Sequence, residues 1–231
     1  MKEKHITYSY TIICSLCDPY SLDRGLPFLL FHRNPDTPFN KGAAMSSIAI
    51  PALTSDLVRI LIDADTIARR VNDLARQINT EYKDIDDKLI LVGVLKGSFI
   101  FLADLCRKLE IPHEVDFISL SSYGNSDQST GNVRMIMDTR ENVEGKHVLI
   151  VEDILDSGYT LDYLCRNFTS RNVASLKTIV LLDKPDRRKV DVEIDYLGFA
   201  IPDVWVVGYG LDYAEKHRTL PYIAEMTPVT E

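Results

Sequence analysis

The chain has 231 residues, of which 45% are hydrophobic and 26% are charged, and its formal net charge is −8. This length and balance are typical of one well-filled domain, alone or with an appendage, and they exclude a chain without a folded core. The acidic balance argues against nucleic-acid binding as the main function, and no apolar run approaches the roughly 20 residues that span a membrane, so we expect neither nucleic acid nor membrane as a partner.

Residues 1–50 differ from the rest of the chain. They contain four prolines and sustain neither the strand period nor the helix period. We expect a poorly ordered N-terminal extension, or sequence upstream of a start at Met45, with no catalytic role in either case. Cys14 and Cys17 form a lone C-x-x-C pair without the second pair that would complete a structural zinc site. Cysteine usage fits a reducing cytosol and predicts a cytoplasmic protein.

The first regular element is predicted directly after Asp63. Apolar side chains recur there at spacings of four, three and four residues, which places them on one face of a helix: Ile67, Val71, Leu74 and Ile78. Asp63 or Asp65 can cap the N-terminus of that helix.

Apolar runs and helical patterns alternate through the remaining chain. Near-continuous aliphatic runs predict strands that are buried on both faces, at residues 88–95, 146–151 and 176–182. Shorter runs predict further strands at residues 115–123, 133–137, 204–210 and 222–226. Helices are predicted at residues 97–109 and 160–170, with Cys106 and Cys165 as small buried side chains. The alternation predicts an α/β fold with a mostly parallel sheet, in which ligands bind beyond the carboxyl ends of the strands.

The strongest functional signal is the string VLIVEDILDSGYT at residues 148–160. Gly158 lets the backbone turn tightly and approach a ligand, and the hydroxyls of Ser157 and Thr160 can donate hydrogen bonds. A helix begins at this point, so free backbone N–H groups and the positive end of a dipole face the same place. Together these features predict a cradle for a monophosphate.

Three acids adjoin the predicted cradle. Glu152 and Asp153 end the apolar strand, where their carboxylates can accept hydrogen bonds from ribose hydroxyls or bind Mg²⁺ directly or through water. Asp156 follows on the loop, placed to take a proton from a bound base. A second interpretation is open here, in which Asp156 or Ser157 merely caps a helix and the acid pair is solvated.

This string resembles the 5-phosphoribosyl 1-diphosphate binding motif of type I phosphoribosyltransferases, and other segments resemble the hypoxanthine/guanine branch. The resemblance extends over about residues 53–226. It implies a phosphoribosyltransferase domain at residues 51–231, with a mostly parallel central sheet flanked by helices and a small hood formed by flanking segments. It implies purine salvage, in which a Mg²⁺-dependent enzyme transfers the 5-phosphoribosyl group to hypoxanthine or guanine and gives IMP or GMP plus diphosphate. The family suggests a homodimer or homotetramer.

Two loops carry part of the resemblance. VLKGSFIF at residues 94–101 is similar to the family's first active-site loop, where a backbone N–H after a strained peptide bond holds diphosphate, and Lys96 and Gly97 stand there. SSYGNSDQSTG at residues 121–131 resembles the flexible loop that closes over the reacting ribose and excludes water, with Ser122 and Tyr123 at its base. Alone, either string would be ordinary.

A polar turn carries the base contact that the resemblance implies. In LLDKPDRRKV, Lys184 matches the lysine that donates a hydrogen bond to the purine 6-oxo group, and Arg188 matches a position near the diphosphate. A 6-amino group cannot accept that hydrogen bond, which predicts that adenine is rejected. Asp186 and Arg187 are interpreted as no more than a charged turn.

The segment PDVWVVGYGLDYAEKHR at residues 202–218 resembles the family's base and metal segment. Trp205 stands where an aromatic ring stacks on the purine, and the carbonyl of Val206 matches the group that contacts the exocyclic edge of the base. Asp212 would bind the Mg²⁺ carried by the diphosphate, and Arg218 would hold diphosphate oxygens. In the phosphate cradle, Tyr159 would contribute mainly its backbone.

Three alternatives compete with this hypothesis. The nearest is a transferase for another base, where Lys184 argues against adenine and leaves xanthine open. A non-catalytic regulator of the same fold, such as a pyrimidine-operon RNA-binding attenuator, would need a basic face, which is unexpected in an acidic chain. An unrelated α/β hydrolase with the acid pair as its metal site leaves the phosphate cradle unexplained.

Overall fold

The computed structural model describes residues 54–85, 87–122 and 133–228. The elements in these ranges are β1 (Leu57–Ile62), α1 (Ala64–Glu81), β2 (Leu89–Leu95), α2 (Phe99–Cys106), β3 (His113–Ser122), β4 (Val133–Met137), β5 (His147–Leu155), α3 (Tyr159–Thr169), β6 (Ser175–Asp183), β7 (Tyr196–Ala200), β8 (Val206–Val207) and β9 (Ile223–Met226). A short 3-10 turn, Pro185–Arg187, follows β6. The predictions for residues 1–50 and for the loop that follows Ser122, including Tyr123, lie outside the described residues.

Six strands form the central sheet, in the order β4-β3-β2-β5-β6-β7. Neighbouring strands run parallel except for β3 and β4, which are antiparallel. The predicted α/β fold with a mostly parallel sheet is therefore confirmed. Leu155 at the end of β5 pairs with Asp183 at the end of β6, so the loops that follow these two strands leave the sheet side by side.

Helices cover both faces of the central sheet. Leu149 and Val151 of β5 belong to the cluster that contains the buried side chains of α1 and α2, whereas Val148 and Ile150 belong to the cluster that contains those of α3. A strand that is buried on both faces is expected to be apolar along most of its length. This requirement explains the aliphatic runs of β2, β5 and β6.

Helix α1 begins and packs as its sequence predicts. The Asp63 carboxylate accepts a hydrogen bond from the backbone N–H of Thr66 at 2.8 Å and caps the helix. The predicted apolar stripe is buried: Ile67, Val71, Leu74 and Ile78. Burial of side chains of this kind contributes roughly 1.5–3 kcal/mol each and holds the helix to the sheet.

A second sheet, which we call the hood, contains three antiparallel strands in the order β1-β9-β8. It joins the first strand of the described chain to the last, with Leu57 opposite Met226. The hood that the resemblance implied is therefore present. The run predicted as a strand at residues 204–210 is a strand only over Val206–Val207, because Gly208, Tyr209 and Gly210 follow with positive φ values of 100°, 50° and 106°.

Several sequence predictions need correction. Strand β5 continues to Leu155, past the predicted end at residue 151, so Glu152 and Asp153 lie inside the strand rather than at its end. Cys106 and Cys165 are partly exposed instead of fully buried. Strands β1 and β7 were not predicted. Among the described residues, no helix is both long enough and apolar enough to cross a membrane.

Candidate active site

Glu152 and Asp153 lie in the last part of β5, at the carboxyl edge of the central sheet. The Glu152 side chain is buried, and its Oε2 atom has no hydrogen-bond partner in the described part of the chain. A buried carboxylate oxygen without a partner is unfavourable, so the position is suited to a ligand that brings a donor or a cation. The alternative that the acid pair is merely solvated is wrong for Glu152.

Both acids of this pair hold protons more tightly than free carboxyl groups do. Burial, followed by the neighbouring charge of Asp153, raises the pKa of Glu152 well above its ordinary value. Burial raises the pKa of Asp153 to about 6, while backbone N–H groups and the Arg218 guanidinium act in the opposite direction and Asp212 adds to the rise. Donors or a cation supplied by a ligand would stabilise the charged pair.

The phosphate loop, residues 156–160, connects β5 to α3. Gly158 has a φ of +93°, and a Cβ at this position would lie 2.7 Å from the carbonyl oxygen of Val190, so only glycine fits. The Ser157 carbonyl accepts hydrogen bonds from the N–H groups of Lys189 and Val190 at 2.9 and 3.1 Å, which fixes the loop to the segment after β6.

Helix α3 begins at Tyr159 with Gly158 as its N-cap, and no side chain in the described ranges caps it. The alternative that Asp156 or Ser157 serves only as a helix cap is therefore wrong. Among the described residues, no side-chain acceptor caps the first-turn N–H groups, which include those of Tyr159 and Thr160. This is the geometry that the sequence predicted for a phosphate site.

Asp156 makes a contact that the sequence analysis did not anticipate. Its Oδ1 atom accepts a hydrogen bond from Nε of Arg187 at 2.9 Å, and both side chains are about half exposed. The interpretation of Arg187 as no more than a charged turn residue is therefore wrong. No contact is found for Asp186 within the described ranges, and it is exposed on the same turn.

The loop after β2 places backbone groups against the acid pair. The Leu95–Lys96 peptide bond is cis. A Cβ on Gly97 would lie 1.7 Å from Oδ2 of Asp153, so the backbone of Gly97 packs directly against that carboxylate. The Lys96 side chain points away into an exposed ion pair with Glu215, with an Nζ–Oε1 distance of 2.8 Å.

Lys184 and Trp205, the two side chains predicted to contact the base, differ in exposure. Lys184 is only 7% exposed, and its backbone N–H donates to the carbonyl of Leu155 at 2.9 Å, which sets it beside the end of β5. Trp205 is 50% exposed, and its ring contacts the Tyr213 ring edge-on with a centroid distance of 5.9 Å. The only tryptophan of the chain is therefore available for stacking rather than buried in the core. Val206 is buried in β8.

Asp212 and Arg218 form one ion pair in the loop between β8 and β9. The Arg218 Nη2 atom lies 2.6 Å from Oδ1 of Asp212, and Nη1 donates to the carbonyl of Gly210 at 2.6 Å. Gly210 has no room for a Cβ, which would lie 2.0 Å from the carbonyl oxygen of Gly97. The loop that carries Asp212 and Arg218 therefore packs on the loop after β2, and both adjoin the acid pair.

Two predicted site residues have other or undescribed surroundings. The Arg188 guanidinium donates to Oδ1 of Asp183 at 2.5 Å and to the carbonyl of Val192 at 3.2 Å, so its contact with diphosphate stays a prediction. Ser122 ends β3 opposite Val133, and only its backbone is described.

The three predicted metal-binding acids do not form a closed metal centre. Within the described ranges, no group of three or more His, Cys, Asp or Glu side chains is arranged to hold a metal ion. Asp212 is already paired with Arg218, and its Oδ2 atom accepts the backbone N–H of Glu215 at 2.7 Å. Any metal here would need ligands from a substrate as well as from Glu152, Asp153 or Asp212.

The sequence analysis missed two residues of this site, Arg187 and Asp203. Asp203 lies between β7 and β8, with its Oδ1 atom 3.8 Å from Nζ of Lys184 and its Oδ2 atom 3.7 Å from Nη1 of Arg187. Arg187 follows the carboxyl end of the predicted strand β6, which could have marked it, whereas Asp203 follows β7, which was not predicted, so no sequence signal marked Asp203.

These features are those of an enzyme that holds a ribose phosphate, and comparison with known proteins agrees. The family described as "Phosphoribosyl transferase domain" matches residues 60–214. The chain belongs to the phosphoribosyltransferase family.

Known relatives come from the hypoxanthine/guanine branch that the sequence predicted, which confirms that prediction. The chain is 48% identical over 174 residues to a hypoxanthine phosphoribosyltransferase of Salmonella typhimurium, covering 75% of this chain and 98% of the relative. It is 46% identical over 173 residues to a hypoxanthine-guanine phosphoribosyltransferase of Bacillus subtilis, covering 75% and 95%.

Solved structures of the same branch share the fold. A hypoxanthine-guanine phosphoribosyltransferase from Bacillus anthracis superposes with a TM-score of 0.70 at 45% identity, covering 74% of this chain and 99% of that one. A hypoxanthine phosphoribosyltransferase from Trypanosoma cruzi gives a TM-score of 0.72 at 44% identity, covering 77% and 95%.

Proposed function

We propose that this protein transfers the 5-phosphoribosyl group of 5-phosphoribosyl 1-diphosphate to hypoxanthine or guanine, giving IMP or GMP and diphosphate, and so serves purine salvage. The observation that carries the proposal is the buried Glu152 carboxylate, whose Oε2 atom has no partner among the described residues, in the strand that leads into the phosphate loop. A ribose hydroxyl supplies the donor that this oxygen lacks. The names and structures of the relatives support the same activity.

The geometry of the phosphate loop supports binding of the ribose phosphate. The 5′-phosphate would accept hydrogen bonds from the uncapped N–H groups at the start of α3 and from the hydroxyls of Ser157 and Thr160. Gly158 leaves the backbone free of a Cβ, so a phosphate can approach closely. The ribose 2′- and 3′-hydroxyls would then face Glu152 and Asp153.

The base would bind between Trp205 and Lys184. A purine ring stacked on the exposed indole contributes about 1–3 kcal/mol. The Lys184 ammonium would donate to the 6-oxo group, which adenine replaces with an amino group that cannot accept this hydrogen bond. The carbonyl of Val206 would contact the exocyclic edge of the base.

The transfer step makes one bond and breaks another. Purine N9 attacks C1′ of the ribose, and the bond from C1′ to the diphosphate oxygen breaks, so that diphosphate leaves with the bonding electron pair. Asp156 accepts the proton that the purine gives up from N7. The backbone at Lys96 and Gly97 and the Arg218 guanidinium would face the departing diphosphate, so that most of the catalysis is positioning and charge stabilisation.

Mg²⁺ is the metal that the donor set fits. All three candidate side chains offer hard carboxylate oxygens, and Glu152 has one oxygen without a partner among the described residues. Glu152 and Asp153 would hold one ion together with the substrate, and Asp212 would hold the ion carried by the diphosphate. When bound, Mg²⁺ would neutralise diphosphate charge.

The proposal extends to the cellular compartment and the oligomeric state of the protein. We infer a cytoplasmic protein that acts as a homodimer or homotetramer, on the strength of its cysteine usage and its family.

The test is an absorbance assay with 5-phosphoribosyl 1-diphosphate, Mg²⁺ and each of hypoxanthine, guanine, xanthine and adenine. We expect nucleotide formation with hypoxanthine, guanine or both, and none with adenine. Turnover of xanthine alone would show that the protein is a phosphoribosyltransferase for xanthine instead. No turnover, together with RNA binding that weakens steeply with salt, would replace the enzyme with the regulator of the same fold.

A further inference from the structure

Asp203 is a charged residue of the base site to which the reaction described above assigns no role. It lies in the exposed segment between β7 and β8, two residues before Trp205. One carboxylate oxygen is 3.8 Å from Nζ of Lys184 and the other is 3.7 Å from Nη1 of Arg187. A single acid therefore contacts the side chains of two different basic residues on the turn after β6.

Arg187 extends this contact to the acid that would take the proton. Its Nε atom donates to Oδ1 of Asp156 at 2.9 Å. Four side chains thus alternate in charge in the order Lys184, Asp203, Arg187 and Asp156. They join the base-recognition residue to the acid of the phosphate loop across three separate segments of the chain.

Lys184 needs a counter-charge because it is buried. Loss of hydration lowers the pKa of its ammonium group, and Arg187 adds to that fall, whereas the carboxylates of Asp156 and Asp203 oppose it. Within the described residues, Nζ makes no hydrogen bond, so the ammonium is balanced by charge while its N–H donors stay available.

We propose that Asp203 is a positioning residue for base recognition: it holds the charged Lys184 ammonium in the base site and ties it, through Arg187, to Asp156. The inference rests on the proposed function, because the base site is defined by it. Selection of a 6-oxopurine then depends on an acid that does not touch the base. Without Asp203, the ammonium keeps only one carboxylate neighbour and is free to leave the position that meets the 6-oxo group.

The experiment compares Asp203→Asn with Asp186→Asn and Asp203→Glu. Asp186 is a matched control, since it is an exposed acid on the same turn that makes no contact in the described structure. Three quantities are measured for each variant and for the unaltered protein: the KM for hypoxanthine or guanine, kcat, and the dependence of kcat/KM on pH. The fluorescence of Trp205, the only tryptophan of the chain, reports IMP binding without turnover.

We expect Asp203→Asn to raise the KM for the base and the Kd for IMP by about tenfold, a value between those typical of exposed and of buried ion pairs. The kcat should change less. The basic limb of the pH profile should move to lower pH, because the Lys184 ammonium loses a neighbour that keeps it protonated. Asp203→Glu should restore most of the KM and the position of that limb, and Asp186→Asn should match the unaltered protein.

Two results would overturn the inference, and they are distinguishable. If the unaltered protein is active and Asp203→Asn has the same KM, Kd and basic limb as Asp186→Asn, the positioning role is wrong and the proposed function stands. If the unaltered protein transfers no ribose phosphate to either base, the proposed function fails and the inference fails with it. Thermal unfolding is measured for the same variants. Because Asp203 is exposed, neither Asp203→Asn nor Asp203→Glu should alter it.

Discussion

The ribose-phosphate segment, residues 147–169, and the hood build their parts of the site in different ways. In the ribose-phosphate segment, one continuous stretch supplies the acid pair, the phosphate loop and the helix N-terminus. In the hood, β1 comes from one end of the described chain and β8 and β9 from the other, and the segment that holds Trp205, Asp212 and Arg218 contains β8. A continuous stretch carries its chemistry in its sequence, whereas the pairing of β1 with β9 shows only after folding.

The acidic side chains of the two regions also have different surroundings. The acid pair of the ribose-phosphate segment is withdrawn from water, and Glu152 has an oxygen without a partner in the described part of the chain. The acidic side chains around the hood form ion pairs with basic side chains, as Asp212 does with Arg218 and Glu215 with Lys96. The first region is set up for a ligand that brings donors, and the second for a ligand that competes with existing ion pairs.

The largest expected effect lies in the ribose-phosphate segment. Asp156→Asn should keep binding of 5-phosphoribosyl 1-diphosphate and lower the chemical rate by about 10²–10⁴, because the amide cannot take the proton. A single-turnover measurement gives that rate directly. Asp162→Asn is the control, since Asp162 is an acid in the first turn of α3 that pairs only with Arg166 on the surface. An unchanged single-turnover rate in Asp156→Asn would remove Asp156 from the role of base.

Alanine substitutions at two glycines distinguish the cost of backbone strain from the cost of steric crowding at the phosphate loop. Gly145 and Gly158 both have positive φ values, of 70° and 93°, but a Cβ on Gly145 meets nothing within 4 Å, whereas one on Gly158 meets the Val190 carbonyl. Gly145→Ala should lower the free energy of unfolding by about 1 kcal/mol. Gly158→Ala should lower it by roughly 1–2 kcal/mol more, because a backbone carbonyl must move. Equal losses in urea unfolding would show that the phosphate loop is not crowded.

The dependence of stability on pH separates the buried acid pair from acids at the surface. Burial raises the pKa of Asp153 to about 6, so the folded protein binds this proton more tightly than the unfolded chain does. Stability that is present below the ordinary carboxyl pKa is therefore lost as pH rises through about 6, at no more than about 1.4 kcal/mol per pH unit.

The free energy of unfolding is measured by urea unfolding at several pH values across this window. Asp153→Asn should abolish the part of its dependence on pH that Asp153 causes. Asp63→Asn is a control measured at lower pH, where its contribution to stability changes with the opposite sign. Hydrogen bonds from Thr66 lower the pKa of Asp63, so its contribution is present above the ordinary pKa and is lost on acidification. A slope that is the same with and without Asp153 would contradict the burial of the acid pair.

The smallest expected effect lies in the loop next to the hood. The Tyr209 hydroxyl donates to Oδ2 of Asp104 at 2.6 Å and ties the turn at residues 208–210 to α2. Tyr209→Phe should lower the free energy of unfolding by about 1 kcal/mol. Tyr163→Phe in α3 should cause no comparable loss, because the described structure gives its hydroxyl no hydrogen bond. Equal thermal stability of the two variants would contradict the tie.

The contrast between the two regions explains how much the sequence could predict. Strands β2, β5 and β6 were predictable because burial on both faces demands unbroken aliphatic runs. Strand β1 was not, because Val58 and Ile60 are exposed and its only partner is β9, at the other end of the described chain. The phosphate loop was predictable because Gly158 and its neighbours form one local motif.

The charge contacts were beyond the reach of the sequence. The pairing of Asp203 with Lys184 and Arg187 depends on the segment before β8 folding back over the turn after β6. The burial of Glu152 depends on β5 continuing past its aliphatic run. Both depend on tertiary structure. Because charged residues are more often solvated, a sequence pattern gives no reason to expect either one.

A crystal structure of the protein with bound IMP or GMP would test the central claim most directly. The account predicts the 5′-phosphate within hydrogen-bond distance of the backbone N–H groups at the start of α3, and the ribose hydroxyls at Glu152 and Asp153. A nucleotide bound elsewhere, with residues 156–160 making no contact to its phosphate, would contradict it.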